Sequence, residues 1–245
     1  MFLVKLGGSV VTEKKTKGSF RADIVRRLAK EMKNFNGSIV IHGAGSFGHP
    51  IAIKYGLDKG YHGNRQGVAK VWRKVRELNS MVMNEFLNAG LPAVSLPPSA
   101  ILSCENGEIK KFDKYLIEKY IDMGFIPISF GDVVFDSIKG FTICSGDKLM
   151  YFFSEVFKPE LAIFVTNVDG IFSSDKTLLK VLDKENEKKI EYWGKDATGG
   201  MKNKVNIGFE IAKLGTKVLI INGNIKGRLK KALEGKEVVG TWVRI

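Results

Sequence analysis

The sequence predicts an α/β protein built on a mostly parallel sheet with helices on both faces. Three observations carry that expectation. Strand-like apolar runs alternate with helix-spaced amphipathic stretches along all 245 residues. Several of the strands run straight into glycine-rich loops, as strands of open parallel sheets do where they meet a ligand. And 44% hydrophobic content supplies a large core, while no apolar run approaches the roughly 18 residues of a membrane helix.

In chain order, Phe2–Leu6 reads as a strand. Asp23–Phe35 places Ile24, Leu28 and Met32 at helical spacing and closes at Asn36-Gly37. Ser38–Ile41 is a short strand, and Pro50–Tyr55 a short helix with His49 at its start, because proline suits a first helical turn. Gly56–Gln66 reads as a mobile loop. A long helix follows over Val68–Leu87, with Val71, Trp72, Val75, Leu78 and Val82 on one stripe. Ala93–Leu96 is a strand, Tyr115–Met123 a helix and Phe125–Phe130 a strand. Val133–Phe135 and Phe141–Cys144 form a hairpin around Lys139-Gly140. Then come helix Lys148–Phe157, strand Leu161–Thr166, a polar segment Ser173–Lys195, helix Lys202–Leu214, strand Lys217–Ile221, helix Arg228–Leu233 and strand Val238–Val243.

Composition narrows the chemistry. Lys and Arg total 39 against 26 Asp and Glu, a net charge of +13 that suits anionic ligands. The positive charge is spread along the chain, which favours a local phosphate site over a nucleic-acid arm. Cys104 and Cys144 have no metal-binding or redox spacing, so a reduced, cytoplasmic setting is expected.

The strongest signal is the set of glycine loops after strands. The first is Lys5-Leu6-Gly7-Gly8-Ser9, with Lys14 a few residues on. A strand ending in Gly-Gly-Ser frees backbone N–H groups and lets an anion approach the main chain, and Lys5 adds fixed charge. The second is His42-Gly43-Ala44-Gly45-Ser46-Phe47-Gly48-His49, the third Gly131-Asp132 with Ser145-Gly146-Asp147, and the fourth Thr166-Asn167-Val168-Asp169-Gly170. Thr198-Gly199-Gly200-Met201-Lys202-Asn203-Lys204 then opens a helix whose free N–H groups and lysines suit phosphate. Gly43-x-Gly45-x-x-Gly48 matches a dinucleotide fingerprint, but Lys59 to Arg76 holds no acidic residue to bind a ribose. No Walker A sequence occurs, nor any protein-kinase signature. His49 follows a glycine turn where an imidazole can donate to phosphate; His42 reads as a structural hydrogen-bonder and His62 as solvated.

On these motifs the chain resembles the amino acid kinase superfamily, and within it the isopentenyl phosphate branch, over nearly its whole length. The carriers are Lys5–Ser9 with Lys14, His42–His49, Phe130–Asp132, Ser145–Asp147, Thr166–Gly170 and Thr198–Lys204; the closing S-F-G-H at Ser46–His49 points to the branch. The resemblance implies a three-layer αβα sandwich with a mainly parallel sheet in one domain. About 1–157 would bind the phosphate acceptor and about 158–245 the nucleotide. It implies transfer of a phosphoryl group from ATP to isopentenyl phosphate, with Mg²⁺ carried on substrate phosphates, in a homodimer. Lys5 and Lys204 would grip the transferred group with donors from Gly8, Ser9 and Gly45, and Lys14 would assist. Asp147 would orient the lysines. His49, Ala44 and Gly146 would hold the acceptor phosphate. Thr166, Asn167, Asp169, Gly200 and Lys204 would line the nucleotide site. Val68, Val71, Val133 and Ile143 would receive the branched alkyl tail, while Trp72 reads as core packing. Ala44, Asn167 and Lys148 depart from the residues most frequent in the family. The same lysines also fit a same-fold kinase with another small acceptor, such as a phosphonate, or a non-catalytic nucleotide- or RNA-binding module. Retention of Lys5, Lys14, Asp147 and Lys204 favours chemistry.

Overall fold

The structure, a computed structural model, describes residues 1–13, 18–190 and 200–245. The elements run β1 (Phe2–Leu6), α1 (Gly8–Val11), α2 (Ala22–Glu31), β2 (Ser38–His42), α3 (Gly45–Lys54), α4 (Arg65–Asn88) and β3 (Ala93–Ser95). Next come α5 (Pro98–Ile101), β4 (Leu102–Glu105), β5 (Glu108–Phe112), α6 (Lys114–Asp122), β6 (Ile126–Phe130), β7 (Asp132–Asp136) and β8 (Gly140–Cys144). The rest is α7 (Gly146–Phe157), β9 (Leu161–Thr166), β10 (Ile171–Phe172), β11 (Leu178–Leu179), β12 (Val181–Leu182), α8 (Gly200–Lys213), β13 (Lys217–Asn222), α9 (Arg228–Leu233) and β14 (Thr241–Val243).

The main sheet has the order β12-β14-β13-β9-β1-β2-β6-β3. From β13 to β3 every neighbouring pair is parallel, and β14 enters antiparallel beside β13. The first strand is therefore central, flanked by β2 and β9 in register from Phe2 onward. Successive side chains on a strand point to opposite faces. Val4, Leu6 and Val40 pack with Leu28 of α2, Phe86 of α4 and Leu229 of α9. Leu3, Ile39 and Ile41 pack with Phe153 of α7 and Phe209 of α8 on the other face. Helix, sheet and helix layers thus form the predicted three-layer sandwich. By the same alternation Lys5 falls on the α7 side, and that decides its partner.

A second sheet, β5-β4-β7-β8, stands beside the first. Its β7–β8 hairpin was expected; the β4–β5 hairpin was not, although Asn106-Gly107 between Cys104 and Ile109 is a strong turn signal. Asp136 holds this corner. Its carboxylate accepts N–H bonds from Asn106 (3.1 Å), Gly107 (2.6 Å), Ile138 (3.0 Å) and Lys139 (2.8 Å).

Two local expectations change. The helix carrying His49 begins at Gly45, not Pro50, so the second glycine loop is itself the first helical turn. Proline sits inside that helix and leaves the Ser46 carbonyl without its usual donor. The segment Gly56–Gln66, expected to be mobile, is tied down. Asn64 accepts from Gly67 N (2.9 Å) and donates to Tyr55 O (2.7 Å). The Tyr61 ring lies against Gly140, where a methyl would fall 2.7 Å from it.

Candidate active site

The carboxyl ends of β1, β2, β6 and β9 bring the first four glycine loops to one edge of the sheet, where ligands of parallel α/β folds bind. At its centre is a buried ion pair. Lys5 leaves β1 on the α7 face, 4% exposed, and its Nζ lies 2.5 Å from Asp147 Oδ1. Gly146 makes this possible, because its missing Cβ would sit 3.2 Å from Lys5 Cε. Burial pulls the ammonium down to about 8 against the attraction of Asp147, and the charge of Lys204 pushes the same way as burial. Burial acts to raise the Asp147 carboxyl, but Lys5, Lys204 and Asn203 outweigh it and hold the group below its ordinary range. Asp147 lies in the first turn of α7, where the helix dipole also favours negative charge. The site therefore presents a lysine whose charge is poorly solvated, balanced in part by Asp147, and able to gain from a further anion.

The two glycine loops interlock. A methyl on Gly8 would fall 2.9 Å from Gly45 Cα, and one on Gly43 would fall 2.6 Å from Gly8 N. These are backbone-on-backbone approaches with no room for any side chain. Gly45 also has φ +49°. The N–H of Gly7 is spent on Val165 O (2.9 Å), which anchors the first loop to β9.

Towards β9, Ser9 Oγ donates to Asn167 Oδ1 (3.0 Å), joining the first loop to the fourth. Thr166 is buried, and its carbonyl accepts from Gly223 N (2.7 Å). Asp169 is engaged within the protein: it accepts from Asn222 (2.9 Å) and Arg228 (2.6 Å). Those bonds hold its carboxyl below the ordinary range. Lys204, in the first turns of α8, donates to Gly200 O (3.1 Å).

Towards β2, α3 rises from the second loop with Ala44 at its cap and His49 exposed on its second turn. Beside it lies an apolar cluster of Ala44, Leu57, Val68, Val71, Val75, Phe130 and Val133, edged by half-buried Trp72 and Phe141. Trp72 Nε1 donates to Val133 O (2.6 Å), so this side chain braces the hairpin against α4. Of the expected tail residues, Val68, Val71 and Val133 meet here. Ile143 pairs opposite Val133 but is 38% exposed and outside the cluster. Lys14, Thr198 and Gly199 lie outside the described residues. Lys148, next to Asp147, turns away to the β4–β5 corner, where it bonds Gly107 O and lies 3.1 Å from Glu108.

Three engaged groups have partners that the sequence reading does not give. Asp132 is buried between Arg76 (3.6 Å) and the N–H of Ser99 (3.4 Å), with its carboxyl raised by burial. Arg228 pairs with Asp169, and Thr12 bridges the two glycine loops. Asp132 closes the Phe130-Gly131-Asp132 motif, whereas Thr12 and Arg228 lie in none; for all three, only the fold supplies the partners.

This edge, a buried Lys–Asp pair among interlocked glycine turns, has the form of a phosphoryl-transfer site on a three-layer α/β sandwich. The chain belongs to the amino acid kinase family, whose model matches residues 1–222. It is 36% identical over 262 residues to an isopentenyl phosphate kinase of Methanothermobacter thermautotrophicus, covering 99% of this chain and 98% of that one. A solved isopentenyl phosphate kinase superposes with a TM-score of 0.85 at 35% identity, covering 99% of both chains. The product complex of the T. acidophilum enzyme superposes at 0.83 with 31% identity and full coverage of both.

Proposed function

We propose that this protein transfers the terminal phosphoryl group of ATP to isopentenyl phosphate, giving isopentenyl diphosphate and ADP. The observation that carries the reading is the buried Lys5–Asp147 pair at the junction of two glycine loops, with the α3 start on one side and an apolar cluster beyond it. The full-length similarity to isopentenyl phosphate kinases supports the choice of acceptor. A phosphate oxygen is already ionised at neutral pH, so the nucleophile needs no general base. Catalysis reduces to alignment and charge neutralisation of an in-line transfer.

In this reading Lys5, Lys204 and Lys14 neutralise the transferred group, and Gly8, Ser9 and Gly45 donate to it from the main chain. Asp147 sets the direction of Lys5. His49, Ala44 and Gly146 hold the non-transferred phosphate of the acceptor, and Val68, Val71 and Val133 receive its tail. Thr166, Asn167 and Gly200 border the nucleotide, with Asp169 shaping that border through Arg228 and Asn222. The first 157 residues or so serve the acceptor and the remainder the nucleotide. No three His, Cys, Asp or Glu side chains gather as a metal site among the described residues. Asp147 and Asp169 are both committed to cations of the protein. Mg²⁺ would be carried on nucleotide phosphates and water, and would neutralise charge on the phosphoryl groups. A homodimer in the cytoplasm completes the reading.

The deciding experiment is an acceptor screen with ATP and Mg²⁺ in which isopentenyl phosphate competes with uridylate, acetylglutamate and fosfomycin. Isopentenyl phosphate is expected to give the highest kcat/KM by a wide margin. A higher value for any other acceptor would reassign the tail pocket and His49.

A further inference from the structure

The second glycine loop opens a ten-residue helix without a capping side chain. Ala44 occupies the cap of α3 and makes no side-chain bond to the first turn. Helix starts normally carry Ser, Thr, Asp or Asn at this place to satisfy one of the free N–H groups. Here the acceptor comes from elsewhere. Thr12 Oγ1, 34 residues away at the end of α1, accepts from Ser46 N at 3.1 Å. The same hydroxyl donates to Gly8 O at 2.8 Å, so one oxygen is bonded to both glycine loops at once. Thr12 is 1% exposed, and its own N–H also goes to Gly8 O (2.9 Å). The glycine at position 45 answers to this residue: a methyl there would meet Thr12 Oγ1 at 2.3 Å and Cγ2 at 2.8 Å.

We propose that Thr12 is a positioning residue that caps α3 in trans and fixes the spacing of the two glycine loops, leaving the Ala44 and Gly45 end of the helix open to phosphate. A carboxylate or hydroxyl at position 44 would satisfy the same N–H groups but would sit where the anion must come. Supplying the cap from the neighbouring loop keeps that end clear. It also joins Gly8 to Ser46 through a single neutral group. Gly8 and Ser9 face the transferred phosphoryl group, and the α3 start faces the acceptor phosphate. The spacing of the loops would then help set how closely the attacking oxygen approaches phosphorus. Errors of about 1 Å in such an alignment cost roughly 10²-fold in rate. The inference rests on the phosphoryl-transfer reading of this edge, though not on the identity of the acceptor.

The test compares Thr12→Val, which keeps the shape and loses both hydrogen bonds, with Thr12→Ser, which keeps the hydroxyl. Both are assayed with ATP, Mg²⁺ and the best acceptor from the screen, and both are melted. Thr12→Val is expected to lose about tenfold or more in kcat while the KM values for ATP and acceptor stay within about threefold. Thr12→Ser is expected to restore most of kcat at a melting temperature no higher than that of Thr12→Val. Near-normal kcat in Thr12→Val overturns the proposal. So does a Thr12→Ser enzyme as slow as Thr12→Val, or a rate loss that tracks melting temperature across both. If the wild-type chain phosphorylates a different acceptor, the acceptor assignment falls and Thr12 is judged on that acceptor. A wild-type chain that phosphorylates nothing overturns both.

Discussion

The two ends of the proposed acceptor site are built from different material. At the phosphate end the walls are main chain: Gly8 against Gly45, Gly43 against Gly8 N, and Gly146 against the stem of Lys5. At the tail end they are side chains, with Val68, Val71 and Val133 backed by the Tyr61–Phe141–Trp72 rings at centroid distances of 5.1 and 5.7 Å. Main-chain walls have no smaller version to mutate to, and a carbon added at Gly8 or Gly43 displaces backbone. Side-chain walls can be trimmed a methyl at a time. The phosphate end should therefore respond to change by losing rate, and the tail end by changing which substrate is preferred.

The largest expected effect tests the first half of that contrast. Lys5→Ala should lower kcat by about 10²-fold or more, since it removes a preorganised cation from a buried site. A folded Lys5→Ala enzyme with near-normal turnover would place the chemistry elsewhere. The pH profile sharpens the same point. Lys5 is charged below about 8 and loses its proton above it. Activity that needs the charge should fall by about tenfold per pH unit well above that value in kcat/KM, which reports the free enzyme. In kcat the fall should come at higher pH, because a bound phosphate favours the charged lysine. A kcat/KM profile flat from pH 7 to 9.5 would show that Lys5 is not titrating in the free enzyme.

His49 sits between the two ends. As a side-chain donor to the acceptor phosphate it should be worth roughly 1.5–3 kcal/mol. His49→Ala should thus raise the KM for isopentenyl phosphate about tenfold or more while the KM for ATP changes little. His49→Gln, which retains an N–H, should keep more activity. A defect confined to ATP would move His49 to the nucleotide. The smallest effects belong to the tail. Val68→Ala, Val71→Ala and Val133→Ala should each shift preference towards longer prenyl phosphates by about 1 kcal/mol, roughly fivefold. Ile143→Ala, at the more exposed position, should do least. Unchanged chain-length preference in all four would put the alkyl pocket outside this cluster.

What could be read in advance divides along similar lines. Lys5, the glycine loops and Asp147 announce themselves because a phosphate site needs glycine where backbone must come close, and such runs are visible in one dimension. Phe2–Leu6 was legible as a strand from its apolar run; which face each residue takes follows from strand period once the sheet is known. Thr12 and Arg228 were not legible, and of Asp132 only the loop was, not what it bonds. Their partners are 34, 59 and 33 residues away, and nothing in Gly-Gly-Ser-Val-Val-Thr says that the threonine serves another helix. Pro50 favours a first helical turn, but here it sits inside α3, because the helix already begins at Gly45. Asp169 was read as a nucleotide contact from its loop alone, and the structure adds that Asn222 and Arg228 already hold it.

The central place of β1 has a consequence for how the molecule comes into being. It is synthesised before the other strands of this sheet, yet one of its two neighbours is β9, which begins at Leu161. Until that segment emerges, β1 can pair only with β2, and one whole row of its backbone groups has no sheet partner. Lys5 is in the same position. Its counter-charge arrives with Asp147, only 14 residues before β9 starts. Such sequence-distant pairing closes late and slowly. On the ribosome, at about 5–20 residues per second, the Lys5 motif is thus made well before its partners and is among the last to be assembled. Lys5 spends that interval in water, at the ordinary basicity of a lysine, and acquires its altered proton affinity only when the final walls close around it.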